Sequence, residues 1–131
     1  MPVEDRVPAY TDKYFSRTRE TVARHGDKTV TYAIFMRRPV RFATRIAVDW
    51  LKEMARVRQI EIEIEERFAE GEEAGGGEPL LYITGSFVSL VDLETLILQK
   101  IGAACVAAMN AYDMCAALPG SAFMAFDARH C

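Results

Sequence analysis

The spacing of apolar and polar residues along the chain predicts seven secondary-structure elements. Segments with a helical period alternate with shorter segments rich in β-branched and aromatic residues, which favour strands. In chain order these are a helix at 11–25, a strand at 29–36, a helix at 42–54, strands at 59–68 and 80–83, a helix at 88–118 and a strand at 122–126. This order predicts an α+β fold in which helices cover a mostly antiparallel sheet.

Two of these segments carry one-sided patterns. The helix at 42–54 has an apolar stripe whose members recur every four residues, namely Phe42, Ile46, Trp50 and Met54, with Ala43, Ala47 and Leu51 beside them. In the strand at 59–68, isoleucine and glutamate alternate, which predicts one buried and one hydrated face. The glycine- and glutamate-rich segment at 69–80 is predicted to be a flexible, hydrated connection, and it lacks the pattern of a phosphate-binding loop.

The last predicted strand differs from the others because it is apolar on both faces. Such a strand is typical of a parallel sheet that is covered on both sides. It is followed by Asp127, Arg129 and His130, and parallel barrels carry their active sites at the carboxyl ends of the strands. The segment at 122–126 therefore suits the first strand of a barrel, although this sequence contains no other strand of that kind.

The composition is that of an ordinary globular domain and narrows the classes of function. Half of the 131 residues are apolar and 27% are charged. The net charge of −3 offers no basic surface for nucleic acid. The most apolar stretch, 90–118, is not expected to span a membrane, since four charged residues interrupt it: Asp92, Glu94, Lys100 and Asp113.

The cysteines and the amino terminus predict a cytoplasmic location. Cys105, Cys115 and Cys131 lack the spacing of a metal site, and reduced thiols are expected, with the first two acting as small helix residues. The first five residues are polar and acidic, and no signal peptide is expected.

Taken alone, the polar residues near both ends of the chain leave structural and functional interpretations open. Asp12 and Tyr14 fit the start of a helix, with Thr11 or Asp12 as the cap. Arg129 offers a planar fork for a carboxylate or a phosphate, and a structural salt bridge is an equal alternative. The glutamates at 61–65 are expected to form a hydrated face, because neighbouring carboxylates without a converging loop repel each other.

Three stretches of the sequence resemble the N-terminal part of nicotinate phosphoribosyltransferases, which are related to the nicotinamide and quinolinate enzymes. The stretches are TDKYFSRT near the start, LLYITGSFVSLVDLETLIL in the middle and FDARH at the end. The resemblance implies an N-terminal α/β sandwich at 1–118, including the long helix at 88–118, and the start of an incomplete α/β barrel at 119–131. The chain is then expected to be the front part of a larger enzyme.

The resemblance also implies a binding site for a pyridine ring. In the family, the segment that matches Asp12 and Tyr14 reaches into the active site of the neighbouring subunit, where the tyrosine stacks on the ring. The stretch that matches Phe126 and Arg129 supplies an aromatic ring for the other face and an arginine for the carboxylate or amide of the substrate. A homodimer or higher oligomer with shared active sites is thereby implied.

The phosphoribosyl donor has two weaker candidate partners, Arg17 and His130, and no catalytic acid or base is identified. The family implies Mg²⁺, whose ligands are expected to lie beyond Cys131. Quinolinate enzymes carry an E-R-T stretch whose arginine helps to hold the second carboxylate. The corresponding segment at 93–95 has no arginine, which favours a substrate with one carboxylate.

The reaction that the resemblance implies is the transfer of phosphoribosyl from phosphoribosyl pyrophosphate to the ring nitrogen of nicotinate, in NAD biosynthesis. The 131-residue chain alone is expected to be inactive. The alternative is a non-catalytic α+β module that binds a ligand or partner through its Asp12–Tyr14 segment. Further strand–helix units encoded downstream would favour the enzyme, and a stop codon there would favour the module.

Overall fold

The computed structural model describes residues 4–124 as an α+β fold, as the sequence predicts. Its elements, in chain order, are α1 (Val7–Tyr10), α2 (Lys13–His25), β1 (Thr29–Phe35), β2 (Val40–Arg41), α3 (Arg45–Arg58), β3 (Ile62–Glu66), β4 (Glu73–Ala74), β5 (Pro79–Ser86), α4 (Phe87–Leu90), a 3₁₀ turn (Val91–Leu93) and α5 (Glu94–Ala117). Strand β5 lies between β1 and β3, and β2 pairs with β4. Every strand pair within residues 4–124 is antiparallel.

One apolar core lies between the sheet and the helices. The strands contribute their inward residues, such as Ile34 and Ile83, and α5 contributes Ile97 and Ile101. The opposite face of the sheet is hydrated, and there the hydroxyls of Thr31 and Thr84 share an exposed hydrogen bond. Burying an aliphatic side chain of this size stabilises a fold by about 1.5–3 kcal/mol, so this layer holds the domain together.

The apolar stripe predicted for the second helix is confirmed at Ala47, Leu51 and Met54 and is wrong at Ile46. Helix α3 begins only at Arg45, so Phe42 lies before it, and Ile46 is 70% exposed. The buried face consists of Ala47, Val48, Leu51 and Met54. The helix is thus rotated by about one residue from the predicted stripe, because positions i, i+1, i+4 and i+7 face the core.

The segment at 69–80 is ordered, which corrects the prediction of a flexible connection. Its strand β4 places Ala74 in the core. The carboxylate of Glu70 accepts hydrogen bonds from the amides of Thr44 and Arg45, both at 2.8 Å, at the start of α3. The segment looks hydrated by composition, but its acids bind backbone amides. A Cβ on Gly76 would lie 2.8 Å from the carbonyl oxygen of Arg37, so this close approach requires glycine.

The long helix predicted at 88–118 is broken into α4, the 3₁₀ turn and α5. Ser86 caps α4, because its hydroxyl accepts a hydrogen bond from the amide of Ser89 at 3.2 Å. The turn brings Asp92 into the interior, where it is 3% exposed. No helix within residues 4–124 has the length and apolar character needed to cross a membrane.

The final predicted strand lies mostly outside the described residues. Residues 121–124 have no regular secondary structure, so the strand is not found over its first three positions, 122–124. The remainder of that strand and the residues that follow it, 125–131, are not described. The assignment of 119–131 to a barrel therefore stays a prediction.

Candidate functional site

The segment with the sequence Thr-Asp-Lys-Tyr begins α2 and presents Tyr14 to the outside. Asp12 is the N-cap, and its carboxylate accepts a hydrogen bond from the amide of Tyr14 at 2.9 Å. The Tyr14 side chain is 68% exposed, and its ring meets that of Phe15 edge to face at 5.3 Å. The interpretation of Asp12 as a helix cap is confirmed. The same cap fixes the first turn, from which an exposed aromatic ring is available for stacking.

Asp92 forms the centre of an ion-pair cluster in which Asp92 and Arg58 are buried, and sequence reasoning missed this role. Its two carboxylate oxygens accept hydrogen bonds from Arg58 at 2.8 and 3.1 Å, and Oδ2 also accepts one from Arg19 at 3.0 Å. Arg58 in turn contacts Asp5 at 2.8 Å. We call Asp5, Arg19, Arg58 and Asp92 the Asp92 cluster. The only sequence signal for it was a single acid in the apolar stretch Leu-Val-Asp-Leu.

Charge complementarity offsets the cost of burying this cluster. Burial opposes the charged form of Arg58, but its hydrogen bonds to Asp92 and Asp5 prevail and hold its pKa above the ordinary value. Burial likewise opposes the charged form of Asp5, and the Arg58 guanidinium still holds the pKa of that carboxyl below its usual range. Two acids and two arginines balance, which makes this burial tolerable.

The cluster is connected to the Tyr14 segment through the backbone. The hydroxyl of Thr11 donates a hydrogen bond of 2.6 Å to the main-chain carbonyl of Asp92. Arg19 lies farther along α2 and bonds the carboxylate of the same residue. Asp92 therefore contacts the chain on both sides of Tyr14.

The remaining predicted site residues are placed only in part. Arg17 is exposed on α2, and its main-chain carbonyl accepts a hydrogen bond of 3.0 Å from the hydroxyl of Thr21. Phe126, Arg129 and His130 lie outside the described residues. The structure thus brings Asp12, Tyr14 and Arg17 together on one short segment, and the other half of the predicted site stays a prediction.

Two buried hydroxyls lie on the core side of the sheet, next to the start of α5. The hydroxyls of Tyr32 and Thr95 are buried, and neither has a hydrogen-bond partner within residues 4–124. Burial, with the negative charges of Glu94 and Asp92, raises the pKa of Tyr32 to about 12. Burial also raises the pKa of Glu94 above its ordinary value. The environment near residues 93–95 is therefore buried and negative, and two of its hydroxyls lack partners within residues 4–124.

Removing the Tyr32 hydroxyl is expected to leave the fold intact and to change its pH response. The folded state keeps the Tyr32 proton up to about pH 12, whereas an unfolded tyrosine releases it near pH 10. Stability from this group is therefore complete below pH 10 and is lost as the pH rises towards 12. At pH 7 the free energy of unfolding of Tyr32→Phe should equal the native value or exceed it by up to about 1 kcal/mol, because the change removes an unpaired buried hydroxyl.

Urea unfolding at pH 7 and across pH 10–12 checks this prediction. Tyr32→Phe should show a weaker alkaline loss of stability than the native chain. Tyr82→Phe is the matched control, because Tyr82 lies on the opposite, hydrated face of β5 and its variant should keep the native loss. An alkaline loss in Tyr32→Phe equal to the native one contradicts the assignment.

The described residues do not fit a magnesium site. No group of three or more His, Cys, Asp and Glu residues within positions 4–124 is arranged to hold a metal ion. Asp92 and Asp5, which lie close together, are already bonded to arginines.

Comparison with known proteins gives a family match over most of the chain. Residues 12–105 match the family model described as quinolinate phosphoribosyl transferase, N-terminal domain. That range contains Asp12, Tyr14 and Asp92. A search of curated protein sequences found no significant match.

Solved structures show the same fold at low sequence identity. Human nicotinic acid phosphoribosyltransferase is 21% identical with a TM-score of 0.71, covering 81% of this chain and 28% of that chain. Nicotinate-nucleotide pyrophosphorylase from Pyrococcus furiosus is 23% identical with a TM-score of 0.61, covering 77% and 27%. The Francisella tularensis enzyme of that name is 14% identical with a TM-score of 0.51, covering 76% and 37%. The chain thus spans 27–37% of the length of these relatives.

Proposed function

We propose, since the chain belongs to the quinolinate phosphoribosyltransferase family through its N-terminal domain, that it is the N-terminal part of a nicotinate phosphoribosyltransferase. The single observation that carries the proposal is the exposed ring of Tyr14 on a capped first turn. An exposed aromatic ring on a capped turn suits stacking on a flat heteroaromatic substrate. The proposed setting is a cytoplasmic pathway of NAD biosynthesis.

The proposed reaction requires orientation more than proton transfer. The lone pair of the pyridine nitrogen forms a bond to the anomeric carbon of the donor, while the bond from that carbon to pyrophosphate breaks. Tyr14 of one subunit and Phe126 of the other would hold the ring between them, so that its nitrogen points at this carbon. Arg129 would bind the carboxylate with its planar fork. No general acid or base is needed for the attack.

The donor carries more charge than the described residues can balance. Arg17 on α2 and His130 are the proposed contacts for its phosphates. Mg²⁺ would offset the charge of the pyrophosphate leaving group, with ligands outside the described residues. The metal is therefore part of the proposal for the complete enzyme only.

Nicotinate is favoured over quinolinate by the environment of residues 93–95. A second carboxylate needs a cation, and this segment carries none. Its one ionisable group, Glu94, is an acid whose pKa is raised by burial. A dianionic ring near this group would meet a negative charge without compensation. A monocarboxylate avoids this cost.

A homodimer or a multiple of dimers is the proposed assembly. The ring of Tyr14 is mostly exposed to solvent within the described chain. If this ring stacks on a ligand, the rest of the binding site must be supplied by another subunit that packs against it. A two-fold dimer provides such a site twice, because each subunit then completes the site of its partner.

A transferase assay separates this proposal from the alternative of a non-catalytic binding module. The purified 131-residue chain is expected to form no nicotinate mononucleotide from nicotinate and phosphoribosyl pyrophosphate with Mg²⁺. The longer enzyme proposed to contain it should form this product, and should use quinolinate and nicotinamide at least tenfold less well, roughly the effect of one unmatched charged group. Ligand binding by a naturally complete 131-residue protein without any turnover would favour the module, and equal use of quinolinate would contradict the substrate assignment.

A further inference from the structure

Helix α2, which carries Tyr14, has little apolar attachment to the rest of the domain. None of its residues, 13–25, is fully buried. An open cleft of about 420 Å³ lies between the helix and the turn that contains Asp92, lined by residues that include Arg19, Ala23 and Val88. A helix without a buried face is not oriented by core packing. Its direction must come largely from specific polar bonds.

Those bonds converge on Asp92. Its main-chain carbonyl accepts a hydrogen bond from Thr11, and its carboxylate accepts one from Arg19. Asp92 therefore contacts the chain before and after Tyr14. Its carboxylate is in turn fixed by two hydrogen bonds from Arg58, whose side chain is only 8% exposed. Arg58 ends α3, which is packed on the core. Val7 of α1 anchors the chain before Thr11 in the core, and the polar path from the core to α2 itself runs through Asp92.

We infer that Asp92 and Thr11 are positioning residues that fix the direction in which Tyr14 leaves the domain. The inference rests on the proposed role of Tyr14 as the stacking partner of the substrate. A ring that is loosely held loses more freedom when it stacks, and binding is weakened accordingly. A buried charged cluster holds one geometry because its bonds are directional. The cluster thus presents Tyr14 to the partner's site in one orientation.

The variant Thr11→Val tests this role because it removes one hydroxyl and keeps the shape of the side chain. Backbone amide hydrogen exchange, measured by NMR on the 131-residue chain, reports the first turn of α2 through the amides of residues 14–16. These should exchange roughly threefold to tenfold faster, which corresponds to the loss of one neutral hydrogen bond. Thr21→Val is the matched control, since the hydroxyl of Thr21 bonds only within α2.

The outcomes separate positioning from general stability. Faster exchange at residues 14–16 in Thr11→Val but not in Thr21→Val supports the inference. An equal rise in both variants shows a general loss of helix stability, and no change at 14–16 in Thr11→Val shows that the Thr11 hydroxyl does not hold this turn; either result overturns it. The proposed function is tested separately by Tyr14→Ala in the longer enzyme. An unchanged KM for nicotinate would contradict the stacking role of Tyr14 without affecting the hydrogen-exchange result. Arg19→Met, which removes the other bond between Asp92 and α2 at a side chain that is 44% exposed, should give the same local pattern as Thr11→Val.

Discussion

Replacing Asp92 by asparagine is expected to lower the free energy of unfolding by about 3 kcal/mol, the scale for removing one partner of a buried ion pair. The carboxylate is 4% exposed and accepts bonds from Arg58 and Arg19. Asparagine keeps the shape of the side chain but removes the charge. Arg58 would then remain in the interior, bonded mainly to Asp5, whose side chain is 31% exposed. The loss is large because a buried cation is left without its main counter-charge.

Urea unfolding of the native chain and three variants measures this effect. Asp113→Asn is the control, because Asp113 is exposed on α5, and it should change stability by less than about 0.5 kcal/mol. The double variant Asp92→Asn with Arg58→Met should recover part of the loss, since it removes the unpaired cation as well. A change for Asp92→Asn no larger than that for Asp113→Asn would contradict a structural role of the cluster.

The elements of the fold were predictable where their residues meet the core directly. The alternation of isoleucine and glutamate in β3 predicts its two faces, because successive side chains point to opposite sides of a strand. Asp12 and Gly26 mark the two ends of α2, since a cap needs a particular side chain or backbone angle. Such signals are local, and the sequence contains them in full.

Long-range polar bonds were not predictable, and they explain the main differences. Asp92 looks like a polar interruption of an apolar helix until its partner Arg58, 34 residues earlier, is known. Glu70 looks like part of a hydrated linker, although it caps α3 from 25 residues away. Residues such as these break a predicted helix or order a predicted loop. Their pairing depends on the fold itself, which periodicity does not contain.

The candidate site was predictable only through resemblance. Composition favoured Asp12 and Tyr14 as an ordinary helix start, and the structure confirms the cap at that position. The same segment leaves Tyr14 exposed, as a stacking role requires. Local propensity and ligand binding are compatible here, because the cap uses the carboxylate of Asp12 and leaves the tyrosine ring free to face outward.

Mixing two impaired variants of the proposed full enzyme is expected to restore part of its activity. Tyr14→Ala removes the stacking ring and Arg129→Ala removes the carboxylate's partner. Each change alone should lower nicotinate use by roughly tenfold to a hundredfold, the scale of one lost stacking or charge-assisted contact. In a hybrid dimer both changes fall on one shared site, and the other site is intact. Sites built within a single subunit would not show this behaviour.

The recovery of activity in mixed subunits tests the central claim most directly. The claim is that this chain supplies Tyr14 to a phosphoribosyltransferase site on its partner. Random exchange in a two-fold dimer makes half of the dimers hybrid, each with one intact site, so the mixture should reach about a quarter of native nicotinate mononucleotide formation. Subunits with different affinity tags verify the exchange, and each variant mixed with itself is the control. A mixture of exchanged subunits that is no more active than either variant alone would contradict the claim.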